Sequence, residues 1–477
     1  MSQTGLVEFA VEVEQEQSAR LRIADLLSKG IFGSLVLLVV VTAIPYGTFE
    51  AWWKAVFVCA VFAICIGAIS ESLLSGSNLI RGSAILLPML ALSLLAFIQT
   101  ISFQRGTADT RAGAQSSWNA ISADPYQTWF FILQLLALTV CLALLYRYAS
   151  SEKRIRVLIY VIIGVAVASA LFGILRQTTQ HEVGFVFPLL KPAQGYGQFL
   201  NKNHFAFFME MALGLGLGMI LGGGVKRDRA IIYVALLFPI WTGLVLSNSR
   251  GGILAMLSQI TLAGLILMDF NSLKGHYSAP RAASSMRRTA GLRVALLIIL
   301  LVGIIVGTLW VGGDQLVSNF EAVSSEFNPD ATGTNEGASR NEIWRATWSM
   351  FAAHPLLGVG LGGYWVSITA FHDASGTLTP REAHNDYLEL LSSGGLAGFA
   401  IGVWFAVQVF RKARANLRAE SRFQRAVCLG SGLGIAGVAV HSLVDFGLHM
   451  TVNAVVFMAL IMMATAEVGP GGDARLT

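Results

Sequence analysis

The stretch TPREAHNDYLELLSSGGLAGFAIG, Thr379 to Gly402, sets a histidine, an arginine and several acids directly before a run of about twenty apolar or small residues that reads as a membrane span. His384 is the side-chain type that exchanges a proton near neutral pH. Arg381, three residues earlier, lays a positive field on it that disfavours the imidazolium, leaving the form a general base needs. Asn385 is placed to orient it. The plainer alternative is that His384 and Asn385 only satisfy polar groups at a membrane surface.

Three further groups join this set as binders of an anion. Arg340 falls in the first turn of an expected helix in SRNEIWRATWSMFAAHP, where unpaired backbone N–H groups and the helix dipole favour negative charge. Its guanidinium matches phosphate oxygens in a forked geometry, although an ordinary exposed charge is the simpler reading of any one arginine. Arg345, further along the same segment, is taken as an additional substrate contact. Arg250, in LSNSRGGILAM, lies in a connection of about six residues between two spans, on the face where the positive-inside rule argues against a cation. A charge kept there needs a partner.

Two polar clusters remain open. In Asn201, Lys202, Asn203 and His204, either the residues cap the sixth span, or Lys202 and Asn203 line the same cavity. His441, Asp445 and His449 recur at i, i+4 and i+8 along one expected helical face. Their types suit zinc, but HExxH is absent and the third residue lies two turns away, so a hydrogen-bonded packing network is the favoured reading. The outer loops hold no Asp-x-Asp pair of the kind that carries a metal-bound diphosphate. No metal and no cofactor is therefore expected, and arginines must neutralise any diphosphate.

The elements that must position these groups follow from composition. The 477 residues are 55% hydrophobic and 13% charged, with a mean hydropathy of +0.64, more apolar surface than one soluble core can bury. The fold class is all-α, a polytopic transmembrane helical bundle. Apolar runs give about twelve spans, centred near residues 39, 60, 91, 138, 165, 214, 239, 261, 303, 398, 436 and 460. Lys and Arg cluster in alternate loops, around 147–156, 226–229, 274–293 and 411–425, which the positive-inside rule makes cytoplasmic. This divides the chain into a cytoplasmic N-terminal segment (1–30), spans 1 to 9 (31–312), a large periplasmic loop with short amphipathic helices (313–384), spans 10 to 12 (385–466) and a cytoplasmic tail (467–477). The basic balance follows from that topology, so no nucleic-acid partner is invoked. The four cysteines fall inside spans and read as packing residues.

Within the long loop, Ser339 and Glu342 form a capping box ahead of an amphipathic helix that ends before Pro355, with Trp344, Trp348 and Phe351 on one face. That face is expected to lie along the outer membrane surface. Gly358, Gly360, Gly362 and Gly363 make a flexible turn back toward the bilayer. Thr379, Pro380 and Glu382 form a second N-terminal signal that puts His384 one turn into the tenth span, on the same face as Arg381. Gly394, Gly398 and Gly402 form a doubled GxxxG suited to close helix packing.

The segments SRNEIWRATWSMFAAHPLLGVGLGGYW, AHNDYLELLSSGGLAGF and HSLVDFGLHMTVNAVVF, preceded by NKNHFAFFMEMALGL and SNSRGG, resemble in order and spacing the O-antigen ligase and polymerase superfamily, over roughly residues 195 to 465. That resemblance implies a GT-C-like helical fold in a bacterial inner membrane with its active site facing the periplasm. It implies a metal-independent glycosyltransferase that takes a glycan from undecaprenyl diphosphate to an acceptor hydroxyl, on lipid A core in ligases or on a second lipid-linked glycan in polymerases. It places the family's base on His384 and its two diphosphate-binding arginines on Arg250 and Arg340. Two departures stand out: ASR replaces the usual small-glycine-arginine lead-in at Arg340, and the longer glycine signature of many ligases is missing from the C-terminal half. A lipid-linked glycan transporter is the rival class, and it would carry its ionisable residues near mid-bilayer. A structural scaffold would tolerate any single polar substitution. The oligomeric state is left open.

Overall fold

The computed structural model describes residues 3–77, 83–102, 120–180, 186–192, 194–275, 340–373 and 379–468. Within them the chain is all-helical, with two isolated bridges and no strand. The long helices are α1 (Gln3–Thr42), α2 (Ala51–Ser75), α3 (Ser83–Thr100), α4 (Pro125–Tyr148), α5 (Glu152–Thr179), α6 (Lys202–Leu221), α7 (Ala230–Leu246) and α8 (Arg250–Gly275). After residues outside the described set come α9 (Arg340–Ala353), a single turn α10 (Tyr364–Ser367), α11 (Asp386–Asn416), α12 (Arg422–His441) and α13 (Thr451–Thr465).

Eight described helices are long and apolar enough to cross a membrane, and shorter apolar helices lie at Ala84–Thr100, Arg250–Ile266 and Thr451–Thr465. The protein is a multi-pass membrane protein. The span expected near residue 303, and residues 313–339 of the expected long loop, lie outside the described residues. α1 begins well before the apolar run, so residues 3–30 are helical and continuous with the first span.

Local chemistry starts the helices where the backbone needs it. Asp124 accepts from the Gln127 N–H with Pro125 in the first turn of α4, Ser151 caps α5 through Arg154, and Ser421 caps α12 through Gln424. α6 is buried on nearly every side and packs along α12. The crossing is made by glycine: a Cβ added to Gly218 would lie 2.1 Å from the Gly430 backbone, and one on Gly214 would lie 2.6 Å from Gly434. The expected GxxxG seam at Gly394 and Gly398 is ordinary packing instead, with added Cβ atoms 3.4 and 3.5 Å from Leu361 and Leu95 side chains. Gly218→Ala should accordingly destabilise the protein by about 1–3 kcal/mol through forced separation of α6 and α12. Thermal unfolding in detergent reads this, with Gly432→Ala, which meets nothing within 4 Å, as the unshifted control.

α11 is broken at Gly395, whose φ of +63° and ψ of −167° lie outside the helical range. The backbone groups the break releases are taken up by the loop after α9. Val359 and Gly360 donate to the Ser392 and Ser393 carbonyls at 3.1 and 3.0 Å, while Leu396 and Ala397 donate to Pro355 and Leu356 at 2.8 and 3.1 Å. Gln99 of α3 donates to Leu357 and Ser393 and accepts from the Leu361 N–H at 3.0 Å, so one side chain ties three segments together. The 358–363 turn is thus wedged rather than free: Gly358 (φ +68°) touches the Ser393 backbone, and Gly360 (φ +101°) meets Ser122.

α9 presents Ile343, Ala346, Thr347 and Met350 inward, while Trp348 is 56% exposed beside Phe351. Trp344 turns back to donate to the Ala383 carbonyl at 3.0 Å. The helix is therefore anchored to the segment that leads into α11.

Candidate functional site

The site gathers at one end of the bundle, around a carboxylate in the turn between α12 and α13. α12 stops at His441, and Gly447–His449 form a single 3-10 turn, so His441, Asp445 and His449 do not share one helical face. They diverge. His441 Nδ1 meets Glu210 Oε2 of α6 at 2.9 Å, with its ring stacked on Phe207 at 3.9 Å. His449 faces Asp386 and Glu389. Asp445 alone turns toward the expected site residues.

Asp445 is almost fully buried. Its Oδ2 accepts from the Asn203 amide and lies 3.7 Å from Arg340 Nη2. Its Oδ1 accepts from the Phe446 N–H at 2.9 Å and sits 3.5 Å from His384 Nδ1, the outer limit of a hydrogen bond. Burial pushes this carboxyl upward. Its contacts with His384, His204 and Arg340 outweigh that and hold it below the ordinary carboxylate range, so Asp445 is an anion at neutral pH.

His384 does not lie inside a helix. α11 starts two residues later, with Asn385 as its cap accepting from the Tyr387 and Leu388 N–H groups at 3.1 and 3.0 Å. Residues 379–385 are irregular, and the expected cap at Thr379 and Pro380 starts no helix. His384 itself has φ +49°, the left-handed region, which only the surrounding contacts can hold. Asn385 therefore serves the helix rather than orienting the imidazole. Asp445 Oδ1 is the acid facing the imidazole, 3.5 Å from an Nδ1 that has no hydrogen-bond partner among the described residues, on a side chain that is 31% exposed. The Phe446 ring edge packs on the imidazole at 4.8 Å between centroids.

The cations lie nearby. Lys202 is within electrostatic reach of both Arg250 and Arg340. Asn201 caps α6 by accepting from the Asn203 N–H, as the capping reading expects, while the Asn203 side chain reaches Asp445. Arg250 opens α8, and the two glycines after it let that helix end dock: a Cβ on Gly251 would lie 2.3 Å from the His441 ring, and one on Gly252 would lie 2.7 Å from Ala206. Two further expected substrate contacts lie outside this cluster. Arg345 lines a separate hollow with Glu342, His372 and Asp373. Arg381 faces a cavity below the His384 segment, beside Glu382, and shares no helical face with His384.

Residues 233–403 match the family model described as O-antigen ligase. The match covers 171 of the 477 residues and supports a likeness to the O-antigen ligase and polymerase superfamily. A comparison with curated proteins finds no match. The matched segment holds Arg250, Arg340, Arg345, Arg381, His384 and Asn385, whereas Lys202, Asn203 and Asp445 lie outside it.

Two residues escaped the sequence reading. Asp445 was grouped with two histidines on a helix that ends before it. Glu210 had a clear signal, a lone acid within the apolar run FFMEMALGL, which in a span marks a paired or functional group.

Proposed function

We propose that the protein is an inverting, metal-independent glycosyltransferase that moves a glycan from undecaprenyl diphosphate to an acceptor hydroxyl at the periplasmic face of the inner membrane. The acceptor is lipid A core or a second lipid-linked glycan. The observation that carries the reading is the meeting of His384, Asp445 and Arg340, with Lys202 and Arg250 close by, at one end of a membrane bundle. In this reading the twelve spans and the large outer loop over 313–384 place that end outside, where a water-borne hydroxyl can reach a donor whose tail stays in lipid.

Arg250, Arg340 and Lys202 hold the diphosphate and stabilise the charge that collects on it. The acceptor oxygen attacks the anomeric carbon, the bond from that carbon to the diphosphate oxygen breaks, and its electron pair leaves with undecaprenyl diphosphate. His384 Nε2 takes the hydroxyl proton, and Asp445 stabilises the resulting imidazolium. One displacement inverts the anomeric configuration.

The test is transfer by purified protein in detergent, with no second compartment. Product formed from lipid-linked glycan and acceptor, undiminished by EDTA, is the expected result. Loss of transfer on chelation would overturn metal independence, and no transfer to either acceptor would overturn the enzyme reading.

A further inference from the structure

Beside the site, on the other side of the Phe446 ring, lies a cavity of about 350 Å³, within the size range of small-ligand pockets, roughly 300–1,000 Å³. Phe446 touches both sides: its ring centroid is 4.8 Å from that of His384 and 5.5 Å from that of His449, and His449 lines the cavity.

Among the described residues, two carboxyl groups on its wall are each held by one oxygen only. Asp386 Oδ2 accepts from the Ser442 hydroxyl at 2.6 Å, and Glu389 Oε2 accepts from the Ala383 N–H at 2.8 Å. Their other oxygens, Asp386 Oδ1 and Glu389 Oε1, stand 3.8 and 3.6 Å from His449 Nε2, beyond hydrogen-bond length. Three polar atoms thus converge without satisfying one another. The His449 side chain is 39% exposed and lines the cavity, so its Nε2 is open to a ligand there.

The remaining wall is largely apolar, with Phe131, Leu135 and Leu138, and carries the amides Gln127 and Gln134 of α4 and the Trp365 ring of α10. Hydroxyl acceptors, amides and an aromatic face are the complement of a sugar ring, whose hydroxyls donate along its edge and whose C–H face stacks on indole. The acid-rich wall argues against a phosphate, because three carboxyl groups, Asp386, Glu389 and Glu382, line it with only two basic side chains, Lys54 and Arg381.

We infer that this cavity is the acceptor subsite and takes an uncharged, hydroxyl-bearing sugar ring of the acceptor glycan. The assignment rests on the glycosyltransferase reading above. A direct displacement needs the attacking hydroxyl and the leaving diphosphate on opposite sides of the anomeric carbon, and Lys202, Arg250 and Arg340 are not among the residues lining this cavity.

The experiment uses full-length protein in detergent with undecaprenyl-diphosphate-linked glycan as donor. Lipid A–core and the lipid-linked repeat unit are supplied separately as acceptors, and whichever the wild type uses is titrated. Glu389→Gln keeps an oxygen for the Ala383 N–H while putting an amide group in place of the Oε1 oxygen that faces the cavity. It should raise the acceptor KM by about tenfold or more with the donor KM within about twofold, the loss expected when a buried hydrogen bond to the ligand is left unmade. Trp365→Ala, at a residue 47% exposed, provides a second variant whose fold does not depend on the Ala383 contact and should shift the same constant. A raised donor KM, or an acceptor KM unchanged in both variants, overturns the subsite while leaving the enzyme reading intact. A wild type inactive toward both acceptors overturns the enzyme reading and the subsite with it.

Discussion

His384→Asn should lower glycan transfer by about 10²- to 10⁴-fold, the contribution typical of a positioned general base, while expression and membrane insertion stay at wild-type levels. Asparagine is the informative replacement because it tolerates the left-handed backbone at φ +49° that His384 occupies, whereas alanine keeps the strain. A loss of activity in His384→Asn is therefore a loss of chemistry rather than of the loop. Asp445→Asn should act through the same imidazole. It removes the anion 3.5 Å from Nδ1, so the imidazolium formed during transfer loses its counter-charge, and kcat should fall with little change in either KM. The pH–rate profile of Asp445→Asn should move as well, which a purely structural role for the carboxylate would not produce. Transfer by His384→Asn within tenfold of wild type would remove His384 as the base.

The second large effect is at the arginines. Arg250→Ala should cost about 10²- to 10³-fold in kcat, as expected for loss of one preorganised donor to a developing oxyanion. Arg250→Lys should be nearly as damaging, because an ammonium cannot reproduce a two-pronged contact with phosphate oxygens. A fully active lysine variant would reduce Arg250 to a simple charge anchor. Arg340 combines two tasks, since its guanidinium lies 3.7 Å from Asp445 as well as near Lys202. Arg340→Ala should therefore alter the pH profile in addition to the rate, and Arg250→Ala should alter the rate alone.

Much of this arrangement was legible in the sequence, for identifiable reasons. Long apolar runs dictate helices wherever the chain must satisfy its own backbone in lipid, so the positions of α2, α4, α5, α6, α7, α11 and α12 follow from hydropathy. The gathering of Arg340 and His384 was legible as two polar segments at the same rim. The start of α11 was not read correctly, because two N-terminal signals compete there: Thr379 with Pro380 and Glu382, and Asn385 with its two N–H contacts. The later one wins where Glu389 reaches back to Ala383 and Trp344 holds the Ala383 carbonyl, contacts made by the tertiary fold. Asp445 was hidden by a period of four that looks helical until the 3-10 turn at Gly447 interrupts it. The break in α11 had no local signature beyond glycine, since the groups that fill it come from residues 99 and 355–361.

That break has a consequence for how the protein is made. Gln99 leaves the ribosome early, the 355–361 loop and Ser393 much later, and Asp445 nearly last. The open carbonyls of α11 therefore meet partners already made, whereas the His384 imidazole lacks its nearby carboxylate until Asp445 has been threaded. The reactive end is thus assembled only on completion of the C-terminal spans, and a truncated or stalled chain is inert by construction toward the lipid-linked sugars around it.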